Sequence, residues 1–511
     1  MSKEYGLVTT PEKTVEYIIS KLGPLRPNHK ILEPCAGPGI FVKKLLKHGV
    51  KRRQIYAYDI NENYTGIYKS LGIRFECLDT LLSIYPDSYN QFDIILGNPP
   101  YLNKSSEYVK QNRKELKSIY GKINAHETYS MFIVNSIWRL KNGGKLGFIT
   151  SDSFLTLRTH RKLRSFMLNK CLIDEILLAP DNLFNDQNVN IHSAIVILTK
   201  CEGEKFQELR KNNLMKLIPR VNSEREYSKP RRCLEVYQKQ FNLLPFNVFH
   251  IDVEREIINL FKKAPRLNQF IKGYIGMHTH NNRKFIAAIE GSELAEIFEK
   301  RNKKITNPER KYNIISTEDL KSENWKPYLK RGGADQYFRP IMEALEWTNN
   351  SIEIYDIPQK VPFEKEGIVI SGVSSRLAAR YMPPGCYWDS NKAIGFFIKN
   401  KNLSIPYVLG VLNSSLYNYL AKGIINNTSS IQLTGIRALP FILPDENTKK
   451  QVEELVKTII ERKKVNFNYD FKKDQRAIDS AIFQFYATTY NLSDKVKKKL
   501  DEKFSIYASK D

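Results

Sequence analysis

The sequence has no long hydrophobic run and few cysteines, and these absences exclude several classes of protein. No run of about 18 or more apolar residues occurs, so no transmembrane helix is expected. The N-terminal stretch from Met1 to Tyr5 lacks the apolar core of a secretory signal peptide. The six cysteines form no Cys-x-x-Cys pair, which argues against a zinc site and a disulfide framework. These features predict a cytoplasmic protein with no membrane partner.

Acidic residues are also scarce relative to basic ones. The chain has 80 Lys and Arg against 55 Asp and Glu, which gives a formal net charge of +25. Together with 28 Tyr and 26 Phe, this excess is typical of proteins that bind a polyanion such as nucleic acid. A lysine-rich, merely solvated surface would have the same composition, so charge alone selects no reaction. The length of 511 residues predicts two or three domains.

The most informative stretch of the sequence ends at Tyr101. Phe92 to Leu96 is short, apolar and β-prone, which predicts a buried strand. Two prolines follow Asn98 and stiffen the chain in an extended turn. The amide oxygen of Asn98 and the carbonyl oxygen of Pro99 are then two rigid acceptors, which suit both hydrogens of one planar exocyclic amine. Tyr101 adds a flat face for stacking. A proline-stiffened turn without catalytic duty is the alternative for this stretch alone.

Three further strand ends, earlier in the chain, carry acidic residues. Short apolar runs end at Glu33, Asp59 and Asp79, with helical patterns between them. Strands that alternate with helices predict a parallel, doubly wound sheet whose carboxyl ends line a ligand site. The small residues around Gly37 and Gly39 let a ligand approach the backbone closely. Because this loop lacks the fuller dinucleotide fingerprint and a Walker-type lysine, a nucleoside without phosphates fits better than NAD or ATP.

The rest of the sequence predicts a longer organisation with a second region and a helical tail. The polar, lysine-rich stretch 102–127 predicts a mobile loop beside the site. Apolar runs at 172–179 and 193–198 predict a hairpin that closes the sheet, and polar sequence over 199–244 indicates a domain transition. Short β-like pieces with interleaved aromatic and basic residues follow, and then lysine-rich amphipathic helix. We therefore predict domains at 1–244, 245–445 and 446–511.

Together these motifs resemble those of the gamma-class N6-adenine DNA methyltransferases of the TaqI type. The motifs that carry the resemblance are Thr10-Pro11, Glu33-Pro34-Cys35-Ala36-Gly37-Pro38-Gly39, Asp59, Asp79 and Asn98-Pro99-Pro100-Tyr101. The match is dense over residues 6–200 and thinner in the C-terminal half. It implies an α/β fold, with a Rossmann-like domain for S-adenosylmethionine-dependent methyl transfer on a mixed, mostly parallel sheet. It also implies a C-terminal α+β target-recognition domain with a helical tail.

The resemblance implies a set of cofactor-binding residues. Glu33 and the loop after it would lie near the methionine part of S-adenosylmethionine, Asp59 would take the ribose hydroxyls, and Asp79 would take the adenine amino group. The product would be S-adenosylhomocysteine, and no metal would be required. One departure is Pro38 between the two glycines, where the family often has a small or polar residue. The full expected set is Thr10, Glu33, Pro34, Cys35, Ala36, Gly37, Gly39, Asp59, Ile60, Asp79, Thr80, Asn98 and Pro100.

The target implied by the resemblance is an adenine rotated out of double-stranded DNA. Asn98 and Pro99 would hold its N6, while Tyr101 and Phe184 would stack on its two faces. Methyl transfer would be a direct in-line displacement at the sulfonium, without a covalent enzyme intermediate. We expect a monomeric, sequence-specific adenine methyltransferase of a bacterium or archaeon. It would be an orphan enzyme or part of a restriction-modification system, with a separately encoded endonuclease as a candidate partner.

Other functions remain open at this point. Asn-Pro-Pro-Tyr also occurs in RNA and protein-glutamine methyltransferases, although these usually lack so long a C-terminal half. A fused restriction-modification enzyme is a second alternative, because Pro444-Asp445 and Asp470-Phe471-Lys472 loosely fit a nuclease pattern. That stretch, however, has a helical pattern, whereas a nuclease metal site needs carboxylates on a sheet. A DNA-binding protein with an inactive cofactor site is the third, and the intact acidic residues argue against it.

Basic residues outside these motifs are candidates for contact with DNA. They are Arg158, His160, Arg376, Arg380 and Lys392. Each could equally cover a solvated face. His278 and His280 could contact DNA or a metal, but the sequence shows no third ligand, so ordinary surface residues are the simpler interpretation.

Overall fold

The chain forms two compact units, Met1–Val253 and Glu254–Asp511, in a computed structural model. The structure describes residues 8–124, 126–187, 191–331, 333–425 and 429–508. The first unit thus continues past the predicted boundary at 244, and the segment from 446 onward is part of the second unit. Among the described helices, none is long and apolar enough to cross a membrane.

The first unit is built on one nine-stranded sheet with the order β3-β2-β1-β4-β5-β7-β6-β8-β9. Its strands are β1 (Ile31–Glu33), β2 (Ile55–Asp59), β3 (Arg74–Cys77), β4 (Phe92–Gly97), β5 (Leu140–Ser151), β6 (Cys171–Leu178), β7 (Ser193–Lys200), β8 (Leu214–Ile218) and β9 (Leu234–Tyr237). Its helices are α1 (Glu12–Lys21), α2 (Ile40–Lys47), α3 (Thr65–Leu71), α4 (Glu107–Gln111), α5 (Arg113–Tyr120), α6 (Thr128–Arg139), α7 (Arg161–Lys170) and α8 (Gln207–Lys211).

The centre of this sheet places four strand ends side by side. Strand β1 is parallel to both β2 and β4, β2 is parallel to β3, and β4 is parallel to β5. Because the chain runs outward from β1 to β3 and then returns to β4 on the other side, a crevice opens between β1 and β4 at their carboxyl ends. The apolar residues Leu32 and Ile95 are fully buried here, so the strands form a rigid floor.

Strand β7 runs antiparallel to both of its neighbours, β5 and β6. The mixed, mostly parallel sheet and the closing hairpin are therefore confirmed. The stretch 199–244 differs from the expected domain transition, because β8 and β9 extend the same sheet beyond β6. More and less exposed residues alternate along most of β8 and β9, as in strands that have one face in solvent.

Half of the stretch 102–127, expected to be a mobile loop, is helical. It contains α4 and α5, whose residues Val109, Leu116 and Tyr120 are buried in the core. The hydroxyl of Tyr120 donates to the carbonyl of Leu81 at 2.8 Å. Leu116 and Tyr120 are four residues apart and so lie on one face of α5, a short pattern that the many exposed lysines obscure in the sequence.

The second unit contains two further sheets and a helical layer. One sheet is antiparallel with the order β10-β18-β15-β16, and the other has the order β12-β11-β14-β13-β17. The strands are β10 (Ile271–Ile275), β11 (Ile286–Ile289), β12 (Asn313–Ile315), β13 (Trp325–Leu329), β14 (Glu343–Glu346), β15 (Gly367–Ser371), β16 (Ala379–Met382), β17 (Tyr387–Trp388) and β18 (Ala393–Ile398).

The helices of the second unit include the predicted C-terminal tail. They are α9 (Arg255–Lys263), α10 (Asn282–Phe285), α11 (Glu293–Asn302), α12 (Asn349–Ile352), α13 (Ile405–Asn413), α14 (Ser415–Asn418), α15 (Leu433–Arg437), α16 (Glu446–Val465), α17 (Lys472–Tyr490) and α18 (Asp494–Lys503), with a π-helix at Tyr419–Ile425. The tail does not stand apart, because the apolar helix α13 packs against both α16 and α17. Val452, Val456 and Ile478 reach within contact distance of the space beside Gly410, where no side chain intervenes.

Candidate active site

A cavity of about 200 Å³ lies at the carboxyl ends of β1, β2 and β4 in the first unit. Its walls bring together most of the residues that the sequence singled out. Those that line it are Thr10, Glu33, Pro34, Cys35, Ala36, Gly37, Asp59, Ile60, Asp79, Thr80, Asn98, Pro99, Pro100 and Tyr101. Of the predicted cofactor-binding and catalytic residues, Gly39 and Phe184 are not among the described lining residues.

The loop between β1 and α2 bends through two glycines. Gly37 and Gly39 have φ values of 49° and 82°, in the left-handed region that favours glycine. The N–H of Gly37 donates to Oδ2 of Asp59 at 2.8 Å, which joins this loop to the end of β2. From beneath, the buried hydroxyl of Tyr68 lies 2.9 Å from the carbonyl of Ala36 and 3.1 Å from that of Gly37. Sequence reasoning missed Tyr68, because it belongs to no motif.

Glu33 is the most strongly perturbed acid of the cavity. Its side chain is only 2% exposed, and within the described ranges its Oε2 atom has no hydrogen-bond partner. Burial raises the pKa of Glu33 well above its usual value, and the neighbouring charge of Asp59 raises it further. A buried acceptor without a donor is costly, so this oxygen is a ready contact for a cationic or hydrogen-bond-donating ligand group.

Asp59 is held by main-chain donors. Its Oδ2 accepts from Gly37, and its Oδ1 accepts from the N–H of Asn61 at 2.9 Å. Burial raises the pKa of Asp59, and these backbone hydrogen bonds partly offset that rise. Each carboxylate oxygen keeps a further lone pair. Both oxygens can therefore accept another hydrogen bond without giving up the contacts that fix the side chain.

Asp79 carries a contact that the sequence did not predict. The hydroxyl of Tyr108, on α4, lies 3.1 Å from Oδ1 and 2.9 Å from Oδ2 of Asp79. Burial and the nearby Asp79 charge both raise the pKa of Tyr108, so its hydroxyl stays protonated as a donor. Next to Asp79, Thr80 donates to the carbonyl of Pro34 at 2.6 Å. Tyr108 thus covers the carboxylate that faces the cavity.

The two acceptor oxygens after β4, Oδ1 of Asn98 and the carbonyl of Pro99, differ in the hydrogen bonds that they accept. The Nδ2 group of Asn98 donates to the carbonyl of Val8 at 3.0 Å, while its Oδ1 accepts from the hydroxyl of Tyr101 at 2.8 Å. The carbonyl of Pro99 has no protein donor among the residues that the structure describes. Thr128, at the start of α6, donates to the carbonyl of Pro100, which fixes the loop from the other side. Both oxygens belong to residues that line the same cavity.

Phe184, expected to stack on a target base, lies elsewhere in this structure. It is 1% exposed and packs in the apolar core of the first unit with residues such as Leu96 and Ile195. Residues 188–190, four positions further along the chain, lie outside the described ranges. The side chain of Gln187 exchanges two hydrogen bonds with the backbone of Thr9, at 2.8 and 2.7 Å. This contact attaches the Phe184 loop to the segment beside Asn98. Stacking by Phe184 stays a prediction.

Two of the five basic candidates for DNA contact are buried. His160 is 0% exposed and hydrogen-bonds Asn124 and Tyr129, with Glu127 at 2.6 Å. Arg380 is 3% exposed and donates to Ser371 at 2.9 Å, and burial lowers its pKa to about 10.

The other three candidates are more accessible. Arg158 and Arg376 are partly buried, and Lys392 is exposed. Arg376 donates to the carbonyl of Ser505 at 3.0 Å. Arg158 lies over the ring of Phe246, with 5.6 Å between the guanidinium carbon and the ring centroid. Of the five, Lys392 has the side chain most available to a phosphate.

Comparison with known proteins adds independent information. Residues 47–184, which include Asp59, Asp79 and the Asn98 loop, match the family model "Eco57I restriction-modification methylase". The Type II methyltransferase M.HincII of Haemophilus influenzae is 29% identical over 215 residues, 41% of this chain and 39% of that protein. The Type II methyltransferase M.VspI of a Vibrio species is 29% identical over 266 residues, 50% of this chain and 59% of that protein. The matched region therefore covers less than two thirds of each of these relatives.

Solved structures resemble a larger part of the chain. The Type IIL restriction-modification enzyme MmeI in complex with DNA has a TM-score of 0.55 at 12% identity, covering 93% of this chain and 72% of that one. A nuclease-deletion mutant of the Type ISP restriction-modification enzyme LlaGI has a TM-score of 0.54 at 15% identity, covering 89% and 54%. At such identities the likeness shows the fold alone. The chain thus has Type II methyltransferases among its homologues, and its region 47–184 resembles an Eco57I-type restriction-modification methylase domain.

Proposed function

We propose that the chain is a sequence-specific DNA methyltransferase that methylates N6 of adenine with S-adenosylmethionine as the methyl donor. The observation that carries this proposal is one cavity that holds two kinds of group. It contains three acids at successive strand ends, Glu33, Asp59 and Asp79, together with the paired acceptor oxygens of Asn98 and Pro99.

The residues of the cavity fit the proposed cofactor. The orphaned Oε2 of Glu33 would accept from the ammonium of the methionine part, which is the cationic partner that this buried acid lacks. Asp59, fixed by two backbone donors, would accept from ribose hydroxyls, and Asp79 would accept from the adenine amino group. For the last contact, Tyr108 has to give up part of its hold on Asp79. When bound, the cofactor supplies an electrophilic methyl group.

The acceptor pair accounts for the choice of an exocyclic amine. Oδ1 of Asn98 and the carbonyl oxygen of Pro99 would accept the two hydrogens of the amino group and orient its nitrogen toward the cofactor. As that nitrogen forms a bond it gains positive charge, so both hydrogen bonds strengthen in the transition state. No nucleophilic side chain is needed, because positioning and charge stabilisation suffice. Oδ1 of Asn98 already accepts from the hydroxyl of Tyr101, so the amine would either use the second lone pair of this oxygen or displace that hydroxyl.

The net charge and the homologous proteins both support DNA as the substrate. A net charge of +25 suits a phosphate backbone, and the homologous enzymes are Type II methyltransferases. The target adenine would leave the duplex to reach the cavity. We further propose that the second unit reads the recognition sequence and that the protein is the modification activity of a restriction-modification system. Its partners would be double-stranded DNA and a separately encoded endonuclease, and it would act as a monomer.

The experiment is methyl transfer from labelled S-adenosylmethionine to duplex DNA, RNA and bulk protein in parallel. Nucleoside analysis of the product DNA then distinguishes N6-methyladenine from N4-methylcytosine. We expect label in DNA alone, as N6-methyladenine within one recognition sequence. Label in RNA or in protein glutamine, or a methylated cytosine, would replace the proposed substrate while leaving the cofactor assignment intact.

The fused nuclease alternative gains no support from the residues that suggested it. Asp445 caps helix α16 by accepting from the N–H of Thr448 at 2.8 Å. Asp470 accepts from the N–H of Lys472 at 3.1 Å, just before α17. These carboxylates therefore serve helix ends and do not lie on a sheet.

A further inference from the structure

Two histidines and an aspartate come together in the second unit. His278 and His280 follow β10, whereas Asp356 follows α12, so the fold brings them together from distant parts of the chain. The backbones of His278 and Asp356 are paired: the N–H of Asp356 donates to the carbonyl of His278 at 2.9 Å, and the reverse bond is 3.2 Å. Asp356 is therefore the third ligand-type residue that the sequence did not reveal.

The three side chains converge closely. One ligand atom from each lies within 4.8 Å of the other two. Nε2 of His280 is 2.9 Å from Oδ2 of Asp356, and the rings of His278 and His280 are 4.6 Å apart and nearly perpendicular. His280 has a φ of 59°, a left-handed conformation that a non-glycine residue adopts at a cost. This less favourable backbone conformation therefore occurs at one of the three clustered residues, and such conformations are often found at functional positions.

The donor set has a specific chemistry. Imidazole nitrogens with one carboxylate oxygen suit divalent transition metals such as zinc and nickel. With metal–ligand bonds of about 2.0–2.1 Å, the ligand atoms of a tetrahedral site lie roughly 3.3 Å apart. The side chains of His280 and Asp356 are 50% and 73% exposed, so they can rotate to close the remaining gap. The two backbone hydrogen bonds between His278 and Asp356 already hold these residues next to each other.

We propose that His278, His280 and Asp356 form a surface site for a divalent transition-metal cation. The cation would join the segment after β10 to the segment after α12, and would add to the backbone pair and the His280–Asp356 contact that already link them. Three protein ligands leave at least one coordination position for water or for a group of a bound partner. None of the three residues lines the cavity of the first unit, so the site does not depend on the proposed transferase function.

The test is calorimetric titration of the full-length protein with Ni²⁺ after chelator treatment and dialysis. Ni²⁺ is the better probe than Zn²⁺, because the exposed thiols of Cys77 and Cys233 would compete for zinc. We expect wild type to bind one Ni²⁺ more per chain than His280→Ala, or to bind it about tenfold more tightly or better. Asp356→Ala should show the same loss. Ni²⁺ should also raise the melting temperature of wild type more than that of either variant.

The chain offers a matched control in His192, which pairs with Asp181 at 2.7 Å on the first unit. This pair has the same two groups, but the described part of the chain supplies no third ligand to it. His192→Ala should therefore leave the tight Ni²⁺ site unchanged. Equal affinity and stoichiometry in wild type and His280→Ala would overturn the proposal. Equal losses in His280→Ala and His192→Ala would overturn it as well, since they would indicate general surface histidine binding.

Discussion

The cavity has two halves that are prepared for their ligands in different ways. On the side of β1 and β2, Asp59 is fixed by two backbone N–H groups, and Glu33 keeps a buried oxygen without any partner among the described residues. On the side of β4, Asn98 is held through its amide nitrogen by Val8, but its oxygen is occupied by the hydroxyl of Tyr101. We call the first the vacant half, because an oxygen of Glu33 has no partner, and the second the closed half, because Oδ1 of Asn98 holds the Tyr101 hydroxyl although the Pro99 carbonyl is open among the described residues.

This difference indicates an order of events. A ligand that binds Glu33 and Asp59 needs no existing side-chain hydrogen bond to break, so the acidic half can bind first. A ligand at Asn98 has to share Oδ1 with the Tyr101 hydroxyl or displace it, and displacement costs about 0.5–1.5 kcal/mol before any new hydrogen bond forms. The amine site therefore already holds one internal hydrogen bond, which a ligand at Glu33 and Asp59 does not meet. Variants on each side can separate the two halves.

The largest expected effect is the loss of turnover when Asn98, in the closed half, is replaced. Asn98→Ala should lower turnover by about 10²- to 10³-fold, because it removes one of two acceptors that act mainly in the transition state. Binding of S-adenosylhomocysteine should stay within about threefold of wild type, since the acids at Glu33, Asp59 and Asp79 are untouched. Turnover and calorimetric binding measure the two effects separately. Asn169→Ala, an exposed asparagine on α7, is the control and should change neither.

Methyl transfer by Asn98→Ala at the wild-type rate would remove the acceptor pair from the mechanism. A parallel loss of cofactor binding would instead show that the two halves form one site.

The next effect is on the vacant half. Glu33→Gln keeps the shape of the side chain and removes its charge, so the affinity for S-adenosylhomocysteine should fall by about 10- to 100-fold, the worth of a charge-assisted hydrogen bond. Glu62→Gln, an exposed acid after β2, should leave the affinity unchanged. Calorimetry measures both variants. An affinity of Glu33→Gln equal to wild type would mean that the orphaned oxygen faces no cationic group of the ligand.

Glu33→Gln should weaken ligand binding but should stabilise the ligand-free protein at high pH. The pKa of Glu33 is raised above its ordinary value of 4.5 in the folded chain, so the native state holds this proton more tightly than the unfolded state does. That stabilisation is complete below pH 4.5 and is lost as pH rises toward the folded pKa. Glutamine does not titrate, so Glu33→Gln without ligand should melt higher than wild type at pH 8, and the difference should shrink toward pH 5. A lower melting temperature at pH 8 would contradict the cost assigned to this buried acid.

Much of this site follows from local sequence. The acids at 33, 59 and 79 and the Asn98 loop stand directly after short apolar runs, and a parallel sheet brings such strand ends to one edge. Tyr68 and Tyr108 could not be predicted in this way. They lie on helices whose rotation and distance from the strand ends are set by packing, and each is one tyrosine among 28. The helices α4 and α5 were hidden for a similar reason, since three buried residues decide their position.

The second unit was harder to predict because its pairings are distant in sequence. Strand β11 pairs with β14 across residues 289–343, and β17 has two residues. Short strands with remote partners leave no periodicity to follow. The pairing of His278 with Asp356 is of the same kind, and no spacing in the sequence announces it.

A smaller effect separates the two parts of Tyr101. Tyr101→Phe keeps the ring and frees Oδ1 of Asn98, so turnover should stay within about threefold of wild type and the affinity for DNA should not fall. Tyr101→Ala also removes the stacking face, worth about 1–3 kcal/mol for a base on an aromatic ring, and turnover should fall by about 5- to 100-fold. Fluorescence of a 2-aminopurine placed at the target base reports whether the base still leaves the duplex. Equal losses in both variants would assign the role of Tyr101 to its hydroxyl.

The smallest effect concerns the one place where the acidic half is not vacant. In Tyr108→Phe the hydroxyl that covers both oxygens of Asp79 is absent, so the carboxylate no longer has to exchange a protein donor for the adenine amino group. We expect S-adenosylhomocysteine to bind about 3- to 10-fold more tightly, which is the worth of one ordinary hydrogen bond. Tyr89→Phe, an exposed tyrosine, is the matched control. Weaker binding by Tyr108→Phe would mean that the hydroxyl stays on Asp79 and orients this carboxylate for the ligand. In that case a side-chain hydrogen bond would also help to position the ligand in the vacant half.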